Sequence, residues 1–443
     1  MNKERIMELL EQKKLMLLKA ELLEERTPDI AEFLDELDPK TALMVFRMLP
    51  KETAVDVFAY LDSETQKNIS QLVNEHELKA ILDELFFDDM IDFLEEMPAN
   101  VVKKILQNTT ETRRSLINQF LNYPDNSVGS IMTIEFVDLK KEMTVKAALE
   151  KIRRIALEKE TIYTCYVMDG ERHLEGMVSL KDLVISDPEK KIAEIMCEDL
   201  VSVTTFDSDE EAAALMQRYN LLALPVVDHE NRLVGIVTFD DMMDALEDAV
   251  TEDIHRMATV GELNTSVVNA KPWMLLKSRL PWLLVLVFVN ILSGAGMAFF
   301  EDTIQSIVAL VFFLPLLIDS AGNAGSQSSA LIIRSMAVGD VELEDWAKLL
   351  RKELAVAIPL GLLLGLASSL IGIIRADVGV ALVVGLSMAV VVLVGSLVGL
   401  LLPFLLKKLN LDPAIASGPL VTSIADIMGV MIYFSIATWY FGL

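Results

Sequence analysis

FFLPLLIDSAGNAGSQSSALIIR, residues 312–334, is the stretch on which the fold of this chain turns. Its two ends are apolar enough for hydrocarbon. Its middle carries Asp319, Asn323, Ser326, Gln327 and further serines, with two glycines, and Pro315 lies near its start. Polar or irregular backbone at membrane depth is tolerated only where it is buried in protein or lines a polar cavity. The stretch therefore predicts a re-entrant or broken helix that brings Asn323, Ser326 and Gln327 to a polar path. Helix packing through small residues is the alternative. Asp319 fits either a place on that path or a pair with Arg334.

Around this stretch lie four more apolar segments. The five, at about 281–300, 303–335, 353–374, 378–406 and 413–442, each reach the roughly 20 residues that a spanning helix needs. Basic residues set the expected orientation. Lys271, Lys277, Arg279, Arg334, Lys348, Arg351, Lys352, Lys407 and Lys408 flank the side that holds the N-terminus, and only Arg375 falls on the other. Near the end, LDPAIASGPLVTSIADIMG (411–429) puts Asp426 deep in the fifth span, where an ionised carboxylate costs roughly 2.5–3.5 kcal/mol on insertion scales. A carboxylate lining a water-filled cation path accounts for it, and a protonated Asp bonded to a neighbouring helix is the alternative. Thr422 sits one turn earlier on the same face, and Gly418 and Pro419 disrupt the helical ladder just before it.

The composition is split in the same way. The 443 residues are 52% hydrophobic, yet the net charge is −27. Residues 1–270 carry 29 Lys and Arg against 55 Asp and Glu, net −26, and the remainder is net −1. A soluble part so acidic is expected to bind neither nucleic acid nor anionic lipid headgroups, and to have cations as partners. Only two cysteines occur, Cys165 and Cys197, without metal or disulfide spacing. No HExxH, GxSxG or P-loop pattern is present, so an enzyme is not expected. The N-terminal MNKERIMELLEQKK lacks the apolar core of a signal peptide, so the soluble part is expected in the cytoplasm.

Within that part, LDELDPKTALMVFRMLP (34–50), KETAVDVFAYLD (51–62) and ELFFDDMIDFLEEMP (84–98) repeat a short amphipathic helix closed by Pro or Asp. Such helices must stack into a superhelical bundle to bury their stripes. Residues 1–26 read as an exposed, charged lead-in. A second repeat follows. IMTIEFVDL (131–139) is echoed by IMCEDLVSV (195–203), AALEKIRR (147–154) by EAAALMQR (211–218), and YVMDGERHLEGMVSLKDL (166–183) by PVVDHENRLVGIVTFDDM (225–242). Each copy reads strand, helix, strand, strand, helix, the last helix capped by Ser179 or Thr238. The pair resembles a tandem CBS module. EDAVTEDIHRMATVGELNTSVVNAKPWMLLKSR (247–279) then starts helical and runs into the membrane.

The order of these parts, with the PLLIDSAGNAGSQSSALIIR and LDPAIASGPLVTSIADIMG stretches, resembles the MgtE family of bacterial magnesium transporters and channels over nearly the whole chain. The expected fold is multidomain: an all-α superhelical N-terminal domain (1–129), an α+β tandem CBS pair (130–245), a connecting, plug-like helix (246–280) and a polytopic α-helical membrane domain of five spans (281–443). The resemblance implies a homodimer in the bacterial inner membrane, multi-pass and in contact with membrane lipid, its N-terminal domains cytoplasmic. It also implies a Mg²⁺ path in which Asp426 binds the ion, with Thr422 as neighbour; the polar run of the second span adds Asn323 and Gln327 to that path. Mg²⁺ keeps most of its water and uses one or two carboxylates, which suits such a path.

Carboxylates at helical spacing are the expected intracellular Mg²⁺ sensor: Asp88 and Asp92, Asp241 and Asp244, Glu252 and Asp253, with Glu210. One site at a hundred times its dissociation constant contributes about 2.7 kcal/mol, whereas a full gate swing needs about 5.5, so several sites are expected. Asn220 and Ala249 stand where family members can place acidic ligands, so Glu247 or Asp248 can substitute. CBS pairs also bind adenine nucleotides through a short Ser/Thr-x-x-Asp element, matched by Ser179 with Asp182 and Thr238 with Asp241. ATP is thus an expected ligand, with a purely structural cap as the alternative. Two competing functions remain open: a membrane-anchored metal or nucleotide sensor that transports nothing, and a Co²⁺ or Mn²⁺ pathway.

Overall fold

Short helices need capping before anything else, because each leaves four N–H groups unpaired at its start. In the N-terminal part these groups are met by Asp38, whose carboxylate accepts from Lys40 and Thr41 N–H, by Asp62, and by a reciprocal Asn74–Glu77 capping box. The computed structural model describes residues 3–107, 109–124, 126–261, 267, 270–416 and 418–443. Part of the connecting stretch, residues 262–266, 268 and 269, thus lies outside the described residues. The chain forms two compact units, one up to Glu247 and one from Asp248.

The first unit begins with ten helices: α1 (Lys3–Glu11), α2 (Leu15–Leu22), α3 (Thr27–Asp35), α4 (Pro39–Phe46), α5 (Lys51–Ala59), α6 (Ser63–Leu72), α7 (Glu75–Leu82), α8 (Phe87–Glu95), α9 (Ala99–Gln107) and α10 (Glu111–Phe120). Their apolar faces share one core, joined by edge-to-face contacts of Phe58 with Phe46 and Phe93. The expected charged lead-in is corrected here. Ile6, Leu9, Leu18 and Leu22 are buried in that core, so residues 3–22 form its first helical hairpin. The many lysines and glutamates of this stretch concealed four apolar positions at helical spacing.

The duplicated region follows with β1 (Val137–Leu139), α11 (Val145–Ile155), β2 (Thr164–Met168), β3 (Leu174–Ser179), α12 (Leu180–Ile185), β4 (Val203–Thr204), α13 (Asp209–Tyr219), β5 (Ala223–Val227), β6 (Leu233–Thr238) and α14 (Phe239–Met257). Each copy makes a three-stranded sheet of the same order, one parallel and one antiparallel pairing. The copies exchange their lead-ins: Thr133 of the first bridges Ile236 of β6, and Cys197 of the second bridges Met177 of β3. Glycine makes this exchange possible. A Cβ on Gly235 would lie 2.8 Å from the Thr133 carbonyl oxygen, and one on Gly176 2.9 Å from Met196 Sδ. Both cysteines are free, Cys165 buried and Cys197 exposed.

In the second unit five helical segments are long and apolar enough to cross a membrane. They are α15 (Pro272–Phe299); a short α16 (Glu301–Ser306), then a 3-10 turn Val308–Phe313 leading into α17 (Leu314–Ala337); α18 (Trp346–Arg375); α19 (Val378–Lys408); and α20 (Gly418–Phe441). α19 is the central helix, packed against α17, α18 and α20. It approaches α17 backbone to backbone: a Cβ on Gly325 would meet the Gly395 carbonyl oxygen at 2.7 Å, the small-residue packing that dispersion between membrane helices requires.

Candidate functional site

The polar run of the second span is not broken. α17 carries residues 314–337 as one continuous helix, and the irregular backbone precedes it as the 3-10 turn, with Pro315 in the first helical turn where a missing N–H costs nothing. The expected interruption at the glycines is thus corrected. Gly322 and Gly325 instead give neighbouring helices room, Gly322 lying against Thr422. Continuity also separates Asp319 from Arg334 by fifteen residues, about 22 Å along the helix, so these two do not pair.

Asp319, Asn323 and Gln327 recur every four residues and form one exposed stripe of α17. Asn323 Nδ2 donates to Asp319 Oδ2 at 3.1 Å. On the neighbouring face, Ser326 Oγ lies 3.3 Å from Thr422 Oγ1, and Thr422 donates to the Gly418 carbonyl at 2.8 Å. Asp426, one turn on, is close enough to Asp319 for their charges to interact. Its Oδ1 is buried and has no hydrogen-bond partner among the described residues. α17 and α20 thus meet through oxygen atoms and one unsatisfied carboxylate oxygen. Such a donor set suits a hard, hydrated cation.

The first unit contains a second concentration of carboxylates. Asp88 is 94% buried in the first turn of α8, and oxygens of Asp88, Glu135 and Glu160 lie within 4.8 Å of one another. Glu135 Oε2 accepts the Phe87 N–H at 2.9 Å. Glu160 Oε2 is enclosed without a hydrogen-bond partner among the described residues. Burial first, then the charges of Asp241 and Asp89, push the Glu160 carboxyl up to about 8. Burial and Asp241 raise Asp88 well above the usual carboxylate range and Asp89 to about 6. Burial with Glu95 and Asp89 takes Asp92 to about 7, and burial takes Asp241 to about 6. Six carboxylates therefore repel one another around one locus, and three all-oxygen ligands with an orphaned buried atom fit a divalent cation there.

Of the sensor candidates, the structure brings together Asp88, Asp92 and Asp241, with Asp244 acting on Asp92 from its exposed position on α14. Glu210 is exposed in the first turn of α13. Glu252 and Asp253 are engaged in the second unit: Arg256 pairs with both Glu252 and Asp412, and Asp253 is raised by burial and by Asp412. Asp89, Glu135 and Glu160 escaped the sequence reading. Asp89 adjoins Asp88 and was there to be seen, but Glu135 and Glu160 lie outside helices, where no periodicity ties them to α8. Asn220 has a local reason for its identity, the left-handed C-cap of α13 with φ 52°.

Both Ser/Thr-x-x-Asp elements are formed. Ser179 Oγ donates to Asp182 Oδ2 at 2.6 Å and caps α12, and Thr238 bonds Asp241 in the same manner. The two differ in surroundings, since only Asp241 belongs to the acidic cluster.

Five apolar helices, two of them meeting through oxygen ligands, joined to a CBS pair and an acidic helical superhelix, define a polytopic membrane protein built to handle cations. The family models agree. The MgtE model, described as a divalent cation transporter, matches residues 314–436, the MgtE intracellular N domain matches 25–126, and CBS domains match 128–187 and 192–248. The chain is 38% identical to the magnesium transporter MgtE of Thermus thermophilus, over 94% of each chain. It is 32% identical to that of Bacillus subtilis over 93% of each. The cytosolic domain of the Mg²⁺ channel MgtE, solved in complex with ATP, is 35% identical with a TM-score of 0.52, covering 55% of this chain and 99% of that one. The chain belongs to the MgtE family.

Proposed function

We propose that this protein moves Mg²⁺ across the bacterial inner membrane and that Mg²⁺ on the cytoplasmic side closes its path. The observation that carries the reading is the buried, unpartnered Asp426 oxygen on α20 beside the Asp319–Asn323–Gln327 stripe of α17. In this reading Asp426 holds the permeating ion through its water shell, and Thr422, Asn323 and Gln327 bond the outer waters, so the ion need not shed its hydration. The α17 stripe is exposed in a single chain, which a second copy would cover, completing the path as a homodimer. The functional division follows the boundaries 1–129, 130–245, 246–280 and 281–443.

The acidic locus is the sensor. Asp88, Glu135 and Glu160 would hold Mg²⁺ directly, with Asp89, Asp92, Asp241 and Asp244 supplying the surrounding negative field. At low Mg²⁺ their repulsion loosens the first unit, and a bound dication cancels it. Glu252 and Asp253, near Asp412, and Glu210 are further candidate sensor ligands. ATP is a second proposed ligand, held by Ser179 and Asp182 and by Thr238 and Asp241, and supported by the ATP complex of the related cytosolic domain. The protein acts as a transporter and catalyses no chemical step.

Expression in a Mg²⁺-uptake-deficient bacterium tests the path. Growth at low Mg²⁺ should return with the wild-type chain and not with Asp426→Ala. Full rescue by that variant would reject the assignment of Asp426, and rescue for Co²⁺ or Mn²⁺ but not Mg²⁺ would reassign the ion.

A further inference from the structure

The last turns of α14, from Asp248 to Met257, belong to the second unit. There Met257 packs on a small apolar cluster made by Ile333 of α17, Leu402 and Leu406 of α19, and Ala414 and Ala416 in the turn that leads into α20. So small a cluster holds a helix end weakly, and a charge reinforces it. Arg256 spreads its guanidinium between two elements: Nη2 pairs with Glu252, one turn back on α14, and Nη1 with Asp412 of the turn. Asp412 is engaged through both oxygens, since Oδ1 accepts the Ala414 N–H at 2.8 Å. The same turn is tied to α17, where Ser329 Oγ donates to the Ala416 carbonyl at 2.7 Å, and it runs into the helix that carries Thr422 and Asp426.

Two carboxylates facing each other from two elements are what a dication would bridge. Here a cation that is part of the chain already makes the bridge. We propose that Arg256 is a positioning residue: it holds the end of α14 on the turn before α20 with no metal ion, and Mg²⁺ reaching Glu252 or Asp412 has to displace it. On the reading that cytoplasmic Mg²⁺ closes the path, on which this role rests, the docked end of α14 belongs to the closed state. The acidic locus of the first unit then needs an ion before its carboxylates cease to repel, whereas the Arg256 contact favours docking at any Mg²⁺ concentration. The side chains of Arg256, Glu252 and Asp412 are 40%, 26% and 29% exposed, so solvent screens the contact only in part and it should shift docking about five-fold.

The test uses the full-length protein with Cys197→Ser and Met257→Cys in proteoliposomes, Cys165 being buried. The rate of maleimide labelling in chelator reports how often the end of α14 leaves the turn. Arg256→Gln should label about five-fold faster than this parent, and high salt should speed the parent but not Arg256→Gln. Arg256→Lys, which keeps the charge and loses the fork, should fall between them. Asp412→Asn keeps an oxygen for the Ala414 N–H and loses the charge, so it should match Arg256→Gln, and the double variant should label no faster than either. Labelling unchanged by Arg256→Gln overturns the proposal, as do effects that multiply in the double variant. Mg²⁺ uptake is read in the same vesicles, where Arg256→Gln should pass about five-fold more than the parent with chelator on the cytoplasmic face. Faster labelling with equal uptake would reject the positioning role, whereas a parent whose uptake ignores cytoplasmic Mg²⁺ would reject the sensing reading beneath it.

Discussion

At Glu160 a carboxylate oxygen is enclosed by protein and bonded to nothing described, beside Asp88 and Glu135. Its folded-state value of about 8 against an ordinary 4.5 means that the folded chain binds this proton more tightly than the unfolded one. Stability therefore falls as pH rises from about 4.5 to about 8 and is lowest above that window. Glu160→Gln removes the charge and keeps the shape. The variant should melt several degrees above wild type at pH 8.5 without divalent ions, and with no difference at pH 5. Thermal unfolding followed by circular dichroism in chelator decides this, and a variant less stable at pH 8.5 would contradict it. The same substitution should weaken Mg²⁺ stabilisation, because it removes one of the three proposed ligands. Asp88 was legible in the sequence, since FFDDMIDF places it on a helix with Asp92. Glu135 and Glu160 were not, because two loop residues meet α8 only through the tertiary fold.

Between α17 and α19 the closest contact is backbone to backbone. Gly325 and Gly395 let α17 and α19 touch along their backbones, so Gly325→Val should force the helices apart. Overpacking costs about 1–3 kcal/mol, and the variant should lose its sharp size-exclusion peak in detergent and melt earlier. An unchanged profile would mean that the helices are not held at this distance in the bilayer. The glycines, serines and asparagine of α17 read in sequence as a break, since small and polar residues weaken helices in water. Inside a bundle they serve the opposite end, because tight packing and i, i+4 hydrogen bonding keep the helix whole. Span positions were legible from hydropathy alone, but the continuity of α17 depended on what packs against it. α1 and α2 illustrate the converse, four buried apolar residues hidden among charges.

For the whole molecule, the proposed sensor makes the segregated charge a competition between protons and divalent ions. Asp89 and Asp241 near 6, Asp92 near 7 and Glu160 near 8 are all raised, so the first unit without metal should be more stable at pH 5.5 than at pH 8. On the proposed reading, bound Mg²⁺ would displace those protons. Its stabilising effect should be large at pH 8 and small at pH 5.5, read as protection of the soluble part from protease across a Mg²⁺ titration. Equal protection at both values would remove the acidic locus from sensing. Domain order, the CBS duplication and the five spans could all be read in the sequence, because each is written as a repeat or a run of apolar residues. The assembly of the acidic locus could not, since it draws on α8, the lead-in of the first repeat, the loop after α11, and α14.

The exchanged lead-ins of the two CBS copies carry a consequence for synthesis. Thr133 takes its place only against Ile236, so the first copy cannot close when its own sequence has left the ribosome. It must wait for about fifty further residues, roughly 2.5–10 s at ordinary elongation rates. The duplicated halves are thus one folding unit, finished just before the first span emerges for insertion. A chain cut between them would be left with an unpaired edge rather than a working half.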